Sequence, residues 1–186
     1  QPAITYGLKG IAYFELFLTG PKQDLHSGTF GGGVTNPANT LCRMLASLVD
    51  NQGRVLIPGF YDDVIPISEQ ERSQFSTLPF DERAFMQQIG VKGVSGEAGY
   101  TTLERRWARP TYDINGITSG YQGEGAKTVL PARASAKFSF RLVPDQDPEK
   151  INKNLQQHLA EICPPGIEMD LRPLHHAPGF VVSLDS

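Results

Sequence analysis

The 186-residue chain is poor in cysteine, in tryptophan and in long apolar runs, and each shortage removes a class of protein. Two widely spaced cysteines, Cys42 and Cys163, make neither a metal knuckle nor a disulfide scaffold, and they favour a reducing compartment such as the cytoplasm. No apolar stretch approaches the roughly 20 residues that span a bilayer, and the first residues show no basic stretch followed by an apolar one. No membrane partner is expected. Charge of one sign is missing too: 17 Lys and Arg against 20 Asp and Glu leave a formal net charge of −3, with no field to attract nucleic acid. Internal repeats and low-complexity tracts are absent. What is present is 39% hydrophobic residues, enough for a real core in one domain or one domain with a large excursion. With no initiator Met and both ends beside strands, the chain reads as a single domain, 1–186, excised from a longer protein.

The periodicities define a two-layer α+β unit. From 10 to 19, Ala12, Phe14, Leu16 and Leu18 share one strand face, while Ile11, Tyr13, Glu15, Phe17 and Thr19 share the other. Asn36 followed by Pro37 caps and opens a helix whose stripe is Leu41, Leu45 and Leu48. A strand is predicted near 112–118. Over 132–142 alternation is nearly strict, with Ala132, Ala134, Ala136, Phe138, Phe140 and Leu142 opposite Arg133, Ser135, Lys137, Ser139 and Arg141. Asp147 and Pro148 repeat the cap-plus-proline signal, and Ile151, Leu155, Leu159 and Ile162 form a second helical stripe ending at Pro164-Pro165-Gly166. A last strand alternates Ile167, Met169 and Leu171 with Glu168, Asp170 and Arg172.

The resulting order, β-α-β-β-α-β with right-handed crossovers, gives a ferredoxin-like sandwich: a four-stranded antiparallel sheet with both helices on the apolar face. First and last strands then lie side by side. Residues 51–109 break the pattern with Pro58, Pro66 and Pro79, short helices starting near Ser68 and Asp81, and Arg105, Arg106 and Arg109 around Trp107. So long a connection is no idle loop. We read it as an insertion on the open face of the sheet, beneath Tyr13 and Phe17, or against a partner.

Two loops carry chemistry. Residues 20–33, GPKQDLHSGTFGGG, set His26 among glycines directly after the first strand, where a reactive side chain would be presented. A polar turn in which His26 merely satisfies backbone groups is the alternative. Residues 120–131, GYQGEGAKTVLP, partly match a phosphate-binding loop, but Ala126 separates Gly125 from Lys127 and the segment leads into a strand. No phosphate loop is predicted there.

DLHSG with its glycine run, then NPANTL, GEGAKTVLP and SAKFSFRLVPDQDPEKI, in that order, resemble the lid or dimerisation domain of the carnosinase/acetylornithine deacetylase/aminoacylase family of dinuclear zinc hydrolases. The D-L-H-S-G form and the long insertion are closest to the carnosinase-like dipeptidase branch. The resemblance runs from about Tyr6 to Pro173. It implies that His26 reaches the partner subunit's active site and donates a hydrogen bond to the substrate carbonyl oxygen as negative charge develops. It also implies that Thr128 contacts substrate and that Arg141 holds the substrate carboxylate, a peptide or N-acyl amino acid being the substrate. Two residues from one chain and a histidine from another would then complete each site of a homodimer. A guanidinium suits that task through paired hydrogen bonds. Without the resemblance, an exposed ion pair of Arg141 with Glu15 or Asp170 is the preferred reading.

In that family two zinc ions sit in a separate catalytic domain whose ligands begin with H-x-D. This chain has no H-x-D and no adjacent Glu-Glu pair. His175 and His176 point to opposite sides of a continuing last strand, and His158 lies off its helical stripe and should be solvated. No catalytic metal is therefore expected here, and the zinc ions belong to the missing domain. Competing readings are a stand-alone ferredoxin-like ligand- or protein-binding module and a self-sufficient hydrolase with His26 as base. RNA binding is disfavoured because Phe138 and Phe140 share the helix-covered face. A lone hydrolase lacks an evident nucleophile, since Ser27 is adjacent in sequence and Asp24 is no better placed.

Overall fold

Strict alternation at 10–19 and 133–142 makes two ten-residue strands, and the computed structural model, which describes residues 5–182, pairs them at the centre of a sheet. In chain order the first elements are β1 (Gly7–Leu8), β2 (Gly10–Thr19), β3 (Leu25–His26), α1 (Ser27–Phe30) and α2 (Pro37–Ala46). There follow α3 (Glu69–Ser76), α4 (Glu82–Ile89), α5 (Thr102–Trp107) and β4 (Thr111–Ser119). The chain continues through β5 (Val129–Leu130), β6 (Arg133–Leu142), α6 (Pro148–Ile162), β7 (Glu168–Ala177) and β8 (Phe180–Val181). The main sheet runs β4-β6-β2-β7, every neighbouring pair antiparallel, so the first and last long strands are adjacent as expected. Two short ribbons, β1 with β8 and β3 with β5, stand outside it.

One face of this sheet is dry. Ala12, Phe14, Leu16 and Leu18 of β2 and Phe138, Phe140 and Leu142 of β6 have no exposed surface, and α2 and α6 cover them with Leu41, Leu45, Ile151, Leu155 and Leu159. Both helices start as the sequence dictates. Asn36 Oδ1 accepts from the Ala38 and Asn39 amides, Asp147 Oδ1 accepts from the Glu149 amide, and Pro37 and Pro148 fill first-turn positions that need no N–H. Ile162 departs from its predicted stripe and is exposed. Cys163, held extended ahead of Pro164, packs partly against the core instead.

The segment 51–109 opens on the helix-covered side, correcting the expectation of an open-face insertion. Val55, Ile57 and Phe60 are buried in the same core, with the Phe60 ring 5.4 Å from that of Phe140. The buried Gln146 locks this docking, accepting from the Val143 amide at 2.9 Å and donating to the Phe60 carbonyl at 2.8 Å. Ser68 and Asp81 cap α3 and α4 as read from the sequence. Of the predicted basic cluster, Arg109 turns inward, and its guanidinium meets the Glu97 carboxylate at 2.7 and 2.8 Å with both side chains buried.

Candidate functional site

Beyond Thr19 the chain leaves the main sheet and turns into the β3–β5 ribbon, where Leu25 pairs with Leu130 and His26 with Val129. Three bonds set this turn. The Gly20 amide donates to the Ala132 carbonyl at 2.9 Å, the Ala132 amide donates to Asp24 Oδ1 at 2.8 Å, and the Ser27 amide donates to the Thr128 carbonyl at 3.1 Å. His26 is thereby presented at the surface as the cap of the one-turn helix α1, its Nδ1 accepting from the Gly28 amide at 3.1 Å. Its Nε2 lies 3.1 Å from Thr128 Oγ1. Two polar side chains distant in sequence thus meet on a ribbon that projects from the sheet, both open to solvent.

Arg141 lies elsewhere. It is exposed on the face of β6 opposite Phe140 and Leu142, between Ile11 and Thr111. From Ala132, beside the His26 ribbon, the strand runs roughly 30 Å to Arg141 at about 3.3 Å per residue. Within one chain, Thr128 therefore lies beside His26 and far from Arg141. The ion pairs weighed for Arg141 do not form: Glu15 is 4.0 Å from Lys137 Nζ, and Asp170 binds Arg172 at 2.6 Å.

Sequence reasoning missed Lys9, and it weighed Asp24 only as a catalytic group. Lys9 precedes β2 with the parity of its open face, and its Nζ donates to the Arg109 carbonyl at 2.6 Å. Burial, with the positive charge of Arg141 adding to it, pushes the Lys9 ammonium down to about 8. The parity that Lys9 shares with the half-buried Ile11 and Tyr13 on the open face was a usable signal for it. For Asp24, a short acceptor two residues before a candidate histidine pointed to a turn clamp.

The remaining histidines divide. His175 is exposed, whereas His176 packs edge-on to Phe14 at 5.2 Å and lies 3.4 Å from Glu149. His158 is not solvated: it is half-buried between α6 and the turn at Pro58 and Gly59, and its Nε2 is enclosed without a hydrogen-bond partner. Residues 120–128 form an exposed loop that enters β5, with no helix to cradle a phosphate. Among the described residues no three His, Cys, Asp or Glu side chains gather as metal ligands. None of the described helices is long and apolar enough to cross a membrane.

The chain is similar to known proteins. The chain is 39% identical over 158 residues to the Cys-Gly metallodipeptidase DUG1 of Saccharomyces cerevisiae, a match covering 85% of this chain and 33% of that protein. It is 38% identical over 162 residues to the Beta-Ala-His dipeptidase of Mus musculus, covering 87% and 33%. The chain thus spans about a third of the length of these curated relatives. The crystal structure of human carnosine dipeptidase 1 superposes with a TM-score of 0.88 at 32% identity, over all of this chain and 40% of that one. Residues 6–167 match the family described as the peptidase dimerisation domain. With that match spanning most of its length, the chain belongs to the M20 peptidase dimerisation domain family.

Proposed function

We propose that this chain is the lid and dimerisation part of a cytoplasmic, zinc-dependent dipeptidase, a ferredoxin-like sandwich carrying the insertion 51–109. It is inactive alone and acts on a dipeptide or an N-acyl amino acid in the whole enzyme. The observation that carries this reading is the meeting of His26 and Thr128 on one projecting ribbon, in a chain of this family. His26 and Thr128 serve the active site of the partner subunit. His26 donates to the scissile carbonyl oxygen as it gains negative charge, a contact stronger in the transition state than in the ground state. Arg141 serves the site of its own subunit and grips the substrate carboxylate with a planar fork. The two zinc ions of the whole enzyme lie outside this chain, and none of these steps is routed through them.

Dimerisation is proposed through the β4 edge. The other edge, β7, carries Pro173, which has no N–H to offer an added strand. On β4, Ile114 and Ile117 are 44% and 53% exposed on the side of the sheet that the helices cover elsewhere. A second copy would supply that cover. Sedimentation of the chain from micromolar to millimolar concentration tests the reading. A concentration-dependent dimer that Ile114→Lys and Ile117→Lys shift to monomer is expected; a monomer throughout, or a dimer indifferent to both substitutions, contradicts it.

A further inference from the structure

Gly28 lies under the ring of His26, and that contact decides which proton the ring carries. The Gly28 amide is 3.1 Å from His26 Nδ1. A backbone amide only donates, so Nδ1 holds a lone pair and the neutral ring carries its proton on Nε2. Nε2 in turn lies 3.1 Å from Thr128 Oγ1, which must then accept. The hydroxyl proton of Thr128 is left to point away from the ring, towards whatever approaches the ribbon. The Thr128 hydroxyl is polarised along one chain of hydrogen bonds, from the Gly28 amide through the imidazole to the hydroxyl.

The residue type at position 28 follows from the same contact. A Cβ there would lie 2.8 Å from His26 Cε1 and 3.2 Å from Nδ1, so a side chain would push the ring off the amide. Backbone conformation does not demand glycine at this position, in contrast to Gly32 with φ +82°. Thr29 Oγ1, 3.4 Å from the same Nδ1, is a weaker and rotatable partner that cannot fix a tautomer by itself.

We propose that Gly28 is a positioning residue that holds His26 as the Nε2–H tautomer; in the free chain that proton rests on Thr128 Oγ1, and it turns to an acceptor oxygen, carbonyl or carboxylate, when one reaches the ribbon. The inference rests on the reading that the His26–Thr128 pair faces substrate, but its first test does not. In the chain labelled with 15N-histidine, long-range 1H–15N correlation at a pH where the ring is neutral should show His26 as a single Nε2–H tautomer. Gly28→Ala should convert it to a mixture while the signals of His158, His175 and His176 and the circular dichroism stay unchanged. Thr128→Val should keep the tautomer but move the Nε2–H resonance, and Thr128→Ser should restore it. An Nδ1–H ring in the parent chain overturns the proposal whether or not any variant folds, as does a Gly28→Ala spectrum identical to the parent. In the whole enzyme, Gly28→Ala should lower kcat roughly tenfold to a hundredfold with KM changed less than about twofold, the signature of a misplaced donor. A locked tautomer whose loss leaves kcat unchanged would remove the catalytic reading of His26 and leave the role of Gly28 in fixing the ring intact.

Discussion

The two ends of β6 are built differently. At one end His26 and Thr128 ride on a ribbon of two residues per strand, tied to the sheet by the Gly20, Asp24 and Ala132 contacts and open to solvent. At the other end Arg141 projects beside Lys9, which is anchored on the Arg109 carbonyl, and Arg109 is pinned by a buried bidentate pair with Glu97. Few exposed hydrogen bonds hold the first end and a desolvated network backs the second, so local opening should begin at the ribbon. In physical terms, a sparsely tied polar pair lies beyond one end of the strand and an exposed arginine beside a desolvated network lies at the other. That suits the proposed division in which His26 crosses to a second subunit and Arg141 works at home.

The contrast can be broken from either side. The largest effect is expected at the Arg141 end: Glu97→Ala leaves the Arg109 guanidinium buried and unpaired, which costs about 3–5 kcal/mol. Urea unfolding of the chain measures it, and a loss near zero would mean the pair is hydrated. Next comes His26→Ala, which should lower turnover of the whole enzyme on the order of a hundredfold while unfolding curves stay unchanged. Arg141→Ala should reduce kcat/KM about tenfold to a hundredfold, chiefly through KM, and Arg141→Lys should recover only part because an ammonium lacks the fork. Asp24→Ala should cost about 1 kcal/mol and speed hydrogen exchange at the Ala132 amide, with no change around Arg141.

A separate effect, confined to one pH window, is a pH dependence at Lys9. Its folded pKa of about 8 lies below the ordinary 10.5, so between those values the unfolded chain binds the extra proton. Stability contributed by Lys9 therefore rises with pH across that window and is flat below it. Lys9→Met should remove the rise, which denaturant titrations at several pH values would detect.

The sandwich was legible because burial writes itself into periodicity. Phe14 and Phe138 alternate with polar neighbours, and Asn36-Pro37 and Asp147-Pro148 mark helix starts by chemistry that is local in sequence. Ile162 was misread because the helix ends there and Pro164 redirects the next residue. The docking of residues 51–109 was misread because it depends on Gln146 and Phe60, which touch across the fold and leave no period in the sequence. At the site, DLHSG marked His26, but no pattern could say that Thr128 meets it while Arg141 does not. That grouping follows from strand length and register, which appear only when β6 is laid beside β2.

The central claim, that opposite ends of one strand serve two different active sites, is tested most directly by mixing subunits of the whole dimeric enzyme. One subunit carries His26→Ala and the other Arg141→Ala. If His26 works in the partner and Arg141 at home, the site on the His26→Ala subunit keeps its own Arg141 and receives an intact His26. The other site loses both. The account predicts that this mixed dimer regains about half of the wild-type activity while each parent homodimer stays impaired. Activity no higher than that of the two impaired homodimers would place both residues in the same site and contradict the account.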